Sequence, residues 1–231
     1  MSHTSRVSDK RPSSPWRENL VRSPLAGQLL SEAALDASIS RVLREWDGNS
    51  DLWLFAYGSL IWSPQVKFEE QRVGSVHGYH RRFCLWSRIN RGTPDRPGLV
   101  LGLDRGGCCG GVAYRIAAAK VRVELRGLWE REMLLGSYHP TWVNFRAGGT
   151  AMRALAFVVN RGSSGYTGRL PESAMLEALQ TACGRYGTCA DYLLRTVDSL
   201  HALGIADHPL TRLGKQLRAQ HQRPGSSAPI A

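Results

Sequence analysis

The chain has 231 residues, 42% hydrophobic and 21% charged, a balance that supports a sizeable core and excludes a wholly disordered protein. No apolar run approaches the ~20 residues that cross a bilayer, and the first twenty residues lack the apolar centre of a secretory signal, so a cytoplasmic protein without membrane attachment is expected. The net charge of +11 first suggests nucleic acid, yet residues 1–24 hold five basic and two acidic side chains and residues 211–231 four basic and no acidic ones, which leaves only +4 for the long middle.

Of the 30 basic residues 26 are arginines, scattered singly rather than set in a stripe with aromatics, so no nucleic-acid groove is expected. Five cysteines without CxxC spacing argue against a disulfide framework and a four-cysteine zinc site, and fit a reducing compartment.

In chain order, Leu35, Ile39, Val42, Leu43 and Trp46 recur at helical spacing, predicting a helix over 31–46 that stops at Asp47-Gly48-Asn49. The apolar run 52–57 ends at Gly58 and reads as a buried strand feeding a turn. Further strands are predicted over 72–76, 81–86, 99–103, 111–115 and 152–159. Helical spacing returns over 118–135, 171–184 and 188–203, the last opening with Thr188 and Asp191 in capping-box positions. Strands first and helices later predict an α+β fold with an antiparallel or mixed sheet.

On the helix from Val121, an apolar stripe of Val121, Leu125, Leu128 and Trp129 contains one carboxylate, Glu132, at four residues from Leu128 and seven from Leu125. A carboxyl group among Leu and Trp loses hydration, so its pKa is expected to rise unless a cation or several donors compensate, and such tuning suits a general base. A helix-end glutamate that reaches water or pairs with an arginine is the plainer reading of the same spacing. The turn Tyr57-Gly58-Ser59-Leu60 supplies a second feature. Gly58 permits a positive φ, and successive amides through such a turn converge on a carboxylate or an oxyanion. Around Ser59 the G-x-S-x-G frame of a nucleophile elbow fails, since the residues are Ala56-Tyr57-Gly58-Ser59-Leu60-Ile61.

Five fragments occur in order: Phe55 through Trp62, Gly78 through Phe83, Gly110 through Arg115, Arg131-Glu132, and Asp191-Tyr192-Leu193. Together they resemble the ChaC family of glutathione-specific γ-glutamylcyclotransferases over roughly residues 51–205. The resemblance implies a γ-glutamylcyclotransferase-like compact mixed β-barrel with surrounding helices, and a lyase reaction that converts glutathione to 5-oxoproline and Cys-Gly. It implies Glu132 as the catalytic acid/base and Tyr57, Gly58, Ser59, Leu60 and Tyr166 as substrate-binding residues, with no metal or other cofactor. Where some relatives follow the Arg-Glu pair with a short glycine-rich turn, this chain has the longer, more apolar passage 133–138. The layout expected is a disordered basic tail over 1–24, a helix within 25–50, the catalytic domain over 51–210 and a mobile tail over 211–231. The expected partner is glutathione, with neither nucleic acid nor membrane, and the oligomeric state is not legible. The alternatives are a cyclotransferase for other γ-glutamyl amines or dipeptides, a non-catalytic γ-glutamyl-binding protein, and a hydrolase using Ser59 or Cys84.

Overall fold

The computed structural model describes residues 20 and 23–221. The disordered tail expected over 1–24 falls almost wholly outside the described residues, as do residues 222–231. The helix expected over 31–46 forms as α1, Glu32–Leu43, capped by Ser31, whose Oγ accepts the Ala34 N–H at 3.1 Å. Among the described residues no helix is long and apolar enough to cross a membrane.

Five strands follow: β1 (Leu52–Ala56), β2 (Glu70–Ser87), β3 (Gly98–Ile116), β4 (Tyr138–Ala147) and β5 (Thr150–Val159). They close into a barrel in the order β1-β3-β2-β4-β5, sealed by a parallel contact of β1 with β5 at Leu54 and Leu155. The fold is thus α+β with a mixed barrel. The four short strands predicted over 72–115 are two long ones, 18 and 19 residues in length. Gly78 (φ +84°) explains the difference, because it sits at a bulge between the pairs His77–Cys108 and Tyr79–Arg105 and the ladder continues past it. Strand β4 was not foreseen. It pairs residue for residue with β5 through a two-glycine turn, Gly148 and Gly149, both at positive φ.

Helix α2 (Val121–Glu132) lies against the barrel through the predicted stripe, and Val121, Leu125, Leu128 and Trp129 are all fully buried. The Trp129 ring packs on Phe157 of β5 at 5.2 Å between centroids, and its indole N–H donates to Ser38 of α1. Helix α3 (Glu172–Thr181) leads into a small hairpin, β6 (Cys183–Gly184) and β7 (Gly187–Thr188), and then into α4 (Cys189–Ala202). Thr188 caps α4 as expected, its Oγ1 accepting the Asp191 N–H. The tail expected from residue 211 is helical as far as His221. This is α5, His208–His221, whose Leu210, Leu213 and Leu217 are buried, so apolar contact orders what its basic composition suggested was loose.

Candidate active site

The five sequence fragments meet at one turn. Strand β1 delivers Tyr57 and Gly58 to a short 3-10 turn, Ser59–Ile61. Arg81, from the second fragment, donates to the Tyr57 carbonyl at 2.6 Å and to the Gly110 carbonyl at 2.8 Å. The hydroxyl of Tyr114, from the third, reaches the carbonyls of Leu60 and Ile61 at 3.2 and 3.0 Å. Arg131, from the fourth, donates to Ser59 Oγ at 2.7 Å and to the Ser63 carbonyl at 3.0 Å. Tyr192, from the fifth, places its hydroxyl where a Cβ on Gly58 would stand only 3.1 Å away.

That contact gives Gly58 a different role from the one expected. Its φ is −134°, so positive φ is not used, and it is the missing side chain that matters. The N–H groups of Ile61, Trp62 and Ser63 are spent on carbonyls within the turn. Those of Gly58, Ser59 and Leu60 meet no acceptor among the described residues, leaving three neighbouring donors for a ligand.

Beside the turn lies a cavity of about 280 Å³, near the lower end of the ~300–1,000 Å³ usual for small-molecule sites. Ser59, Glu132, Tyr138 and Tyr192 contribute to its wall. Tyr57 and Leu60 are core side chains, the Tyr57 hydroxyl donating to the Phe157 carbonyl at 2.7 Å, so only their backbones remain for the binding role expected of them. Tyr166 is not brought into this wall. Its hydroxyl donates to Asp104, a buried carboxylate also held by Arg161 at 2.7 Å. Tyr138 stands with Glu132 and Tyr192 in the cavity, its hydroxyl donating to the Leu101 carbonyl at 3.2 Å.

Glu132 is the last residue of α2, and only 15% of its side chain is exposed. Burial pushes its carboxyl pKa upward, opposed by the Arg131 guanidinium 3.2 Å away. The negative end of the α2 dipole acts in the same direction as burial. Arg131 is shared with Ser59 and Ser63, so it offsets the burial without reversing it. Burial also raises the hydroxyl pKa of Tyr138 and Tyr192, with the Glu132 charge contributing to both, so each tyrosine stays a neutral hydrogen-bonding group.

The hydrolase alternative lacks support here. Ser59 Oγ is bonded to a guanidinium rather than an imidazole, and burial pushes the Cys84 thiol up to about 11, far from a reactive thiolate. Among the described residues no three His, Cys, Asp or Glu side chains gather as metal ligands would. One wall residue had no place in the sequence reading. Arg91 is 5% exposed, donates to the Thr188 carbonyl at 3.1 Å and lies over the rings of Trp62 and Tyr192. The glycine- and proline-rich passage 88–98 holds three arginines, and nothing in its local pattern singles out Arg91.

The family model for ChaC-like proteins matches residues 52–220. The glutathione-specific γ-glutamylcyclotransferase of Escherichia coli is 35% identical over 77% of this chain and 77% of its own length. The mouse glutathione-specific γ-glutamylcyclotransferase 1 is 36% identical over 80% of this chain and 86% of its own. In three dimensions, a yeast γ-glutamyl cyclotransferase specific to glutathione superposes with a TM-score of 0.68 at 20% identity, over 76% of this chain and all of the yeast one. A turn gripped by all five fragments, a buried glutamate beside it and these matches lead to one conclusion: the chain belongs to the ChaC-like family.

Proposed function

We propose that this protein is a glutathione-specific γ-glutamylcyclotransferase, a lyase that splits glutathione into 5-oxoproline and Cys-Gly. The observation that carries this reading is Glu132, a carboxyl group of raised pKa in the wall of the cavity, beside three unpaired amides of the Gly58–Leu60 turn. The relatives named above carry the same activity in their names.

The substrate supplies its own nucleophile. The α-amine and γ-carbonyl belong to one glutamyl unit, and a cavity that holds this unit folded removes much of the entropic cost of ring closure. Glu132 takes a proton from the α-ammonium, and the freed amine attacks the γ-carbonyl carbon, forming the new C–N bond and an oxyanion. Amides of the Gly58–Leu60 turn stabilise negative charge, either this oxyanion or the substrate α-carboxylate. Collapse breaks the bond to the cysteinyl nitrogen as Glu132 returns its proton to that nitrogen, while the second proton on the attacking nitrogen is lost as the lactam forms and ends on the released Cys-Gly amine, so the base leaves the cycle as it entered. Arg131 orients both Glu132 and Ser59. We place the reaction in the cytoplasm, where the five free thiols fit a reducing medium.

Incubation with glutathione and quantification of 5-oxoproline and Cys-Gly by mass spectrometry tests the reading. Glu132→Gln is expected to lose at least ~10²-fold in kcat, the usual scale for a positioned acid/base, while still binding glutathione. Equal product from both proteins would remove Glu132 from the chemistry, and no product from folded wild type would remove the reaction.

A further inference from the structure

The cavity wall is rich in arginine. The segment after β2 contributes Arg88 and Arg91, and the β6–β7 hairpin contributes Arg185. The two segments are fixed to one another, because the N–H groups of Arg185 and Tyr186 donate to the carbonyls of Ile89 and Asn90, each at 2.9 Å. A Cβ on Gly184 would fall 2.4 Å from the Gly92 nitrogen, so no side chain separates them. The arginines are therefore presented by a rigid surface.

Their charges are not equally engaged. Arg131 serves Glu132, Ser59 and Ser63, and the buried Arg91 is committed to Thr188 and to Asp191 at 3.4 Å. The cavity's other acid, Glu130, is held by Arg126 at 3.1 Å. Arg88 is half-buried and touches only neutral oxygens, Gln28 Oε1 at 3.5 Å and the Ser164 carbonyl at 3.3 Å. Both bonds are long, and no carboxylate among the described residues pairs with this guanidinium. A partly desolvated cation with weak neutral partners is completed by an anion.

We propose that Arg88 is a specificity residue, binding the free C-terminal carboxylate of the γ-glutamyl peptide. The inference rests on the cyclotransferase reading for the identity of the peptide. Two residues separate the bond that breaks from the far carboxylate of glutathione, a reach of about 7 Å in an extended chain, which suits a charge at the rim while the γ-glutamyl unit lies deeper beside Glu132. A γ-glutamyl amine without that carboxylate leaves the guanidinium unsatisfied and binds less well.

The test is calorimetric binding to the Glu132→Gln protein, which does not require turnover, using glutathione and its glycyl amide, in which a carboxamide replaces the terminal carboxylate. Glutathione is expected to bind about 10- to 100-fold more tightly than the amide, the range of one charge-assisted hydrogen bond. Adding Arg88→Gln is expected to abolish the difference by weakening glutathione alone, and Arg88→Lys to restore part of it. Equal affinities in the parent protein, or a preference that survives Arg88→Gln, overturns the proposal. Should Arg88→Gln melt early, the parent comparison and Arg88→Lys decide the matter. A wild type that prefers the carboxylate yet makes no 5-oxoproline would sink the cyclotransferase reading and leave this one standing.

Discussion

The chemistry proposed for Glu132 turns on where a helix ends. Its side chain closes the apolar stripe of α2, so the packing that anchors the helix also desolvates the carboxyl group, and this much is legible from local periodicity. Tyr138 and Arg91 were harder to foresee, since each enters the cavity through a tertiary pairing that no local pattern encodes. The raised pKa has two consequences of definite sign. On the proposed mechanism activity depends on the carboxylate, so kcat/KM is expected to fall as pH drops through a value above the ordinary 4.5 of glutamate. For stability, the fold favours the neutral form, so the contribution of Glu132 is fully present below the unfolded pKa and is lost as pH rises through the folded one. Glu132→Gln is therefore expected to melt higher than wild type at pH 8, with the gap closing near pH 4. A lower Tm at pH 8 would mean that the Arg131 ion pair outweighs the burial cost.

At the scale of elements, the sequence exposed helices better than strands. Glycines at 78, 106 and 107 looked like breaks, but the ladder between β2 and β3 absorbs them as bulges and turns. Strand β4 carries Pro140 and polar residues at His139 and Asn144, which hid its alternation. Helix α5 was masked by a basic tail composition, although Leu210, Leu213 and Leu217 stand at helical spacing. Leu217 is fully buried, so Leu217→Ala is expected to cost about 2–5 kcal/mol in denaturant unfolding, and a loss below ~0.5 kcal/mol would return this segment to a loose tail. The same helix is tied to the site. Asp207 accepts the Leu210 N–H at 3.1 Å and pairs with Arg81 at 3.0 Å, while Arg81 also holds the Tyr57 carbonyl. Arg81 is 3% exposed, and Arg81→Ala strands Asp207, a change expected to cost about 3–5 kcal/mol and to raise the KM for glutathione, measured by urea unfolding and steady-state kinetics.

For the whole molecule, the resemblance led to a mixed barrel with surrounding helices, and the structure has that form, but the order of predicted elements alone gave only an α+β mixture. Strand order was beyond reach because closure depends on the non-local pairing of Leu54 with Leu155. That pairing has a consequence for how the protein is made. The turn at Gly58 and the helix bearing Glu132 are both synthesised before β5 exists, yet the barrel that sets one beside the other cannot close until β5 has left the ribosome. A nascent chain would therefore carry Glu132 and the Gly58 turn before it possessed an active site, and it would complete that site only after β5 closes the barrel and α4 brings Tyr192 against the turn.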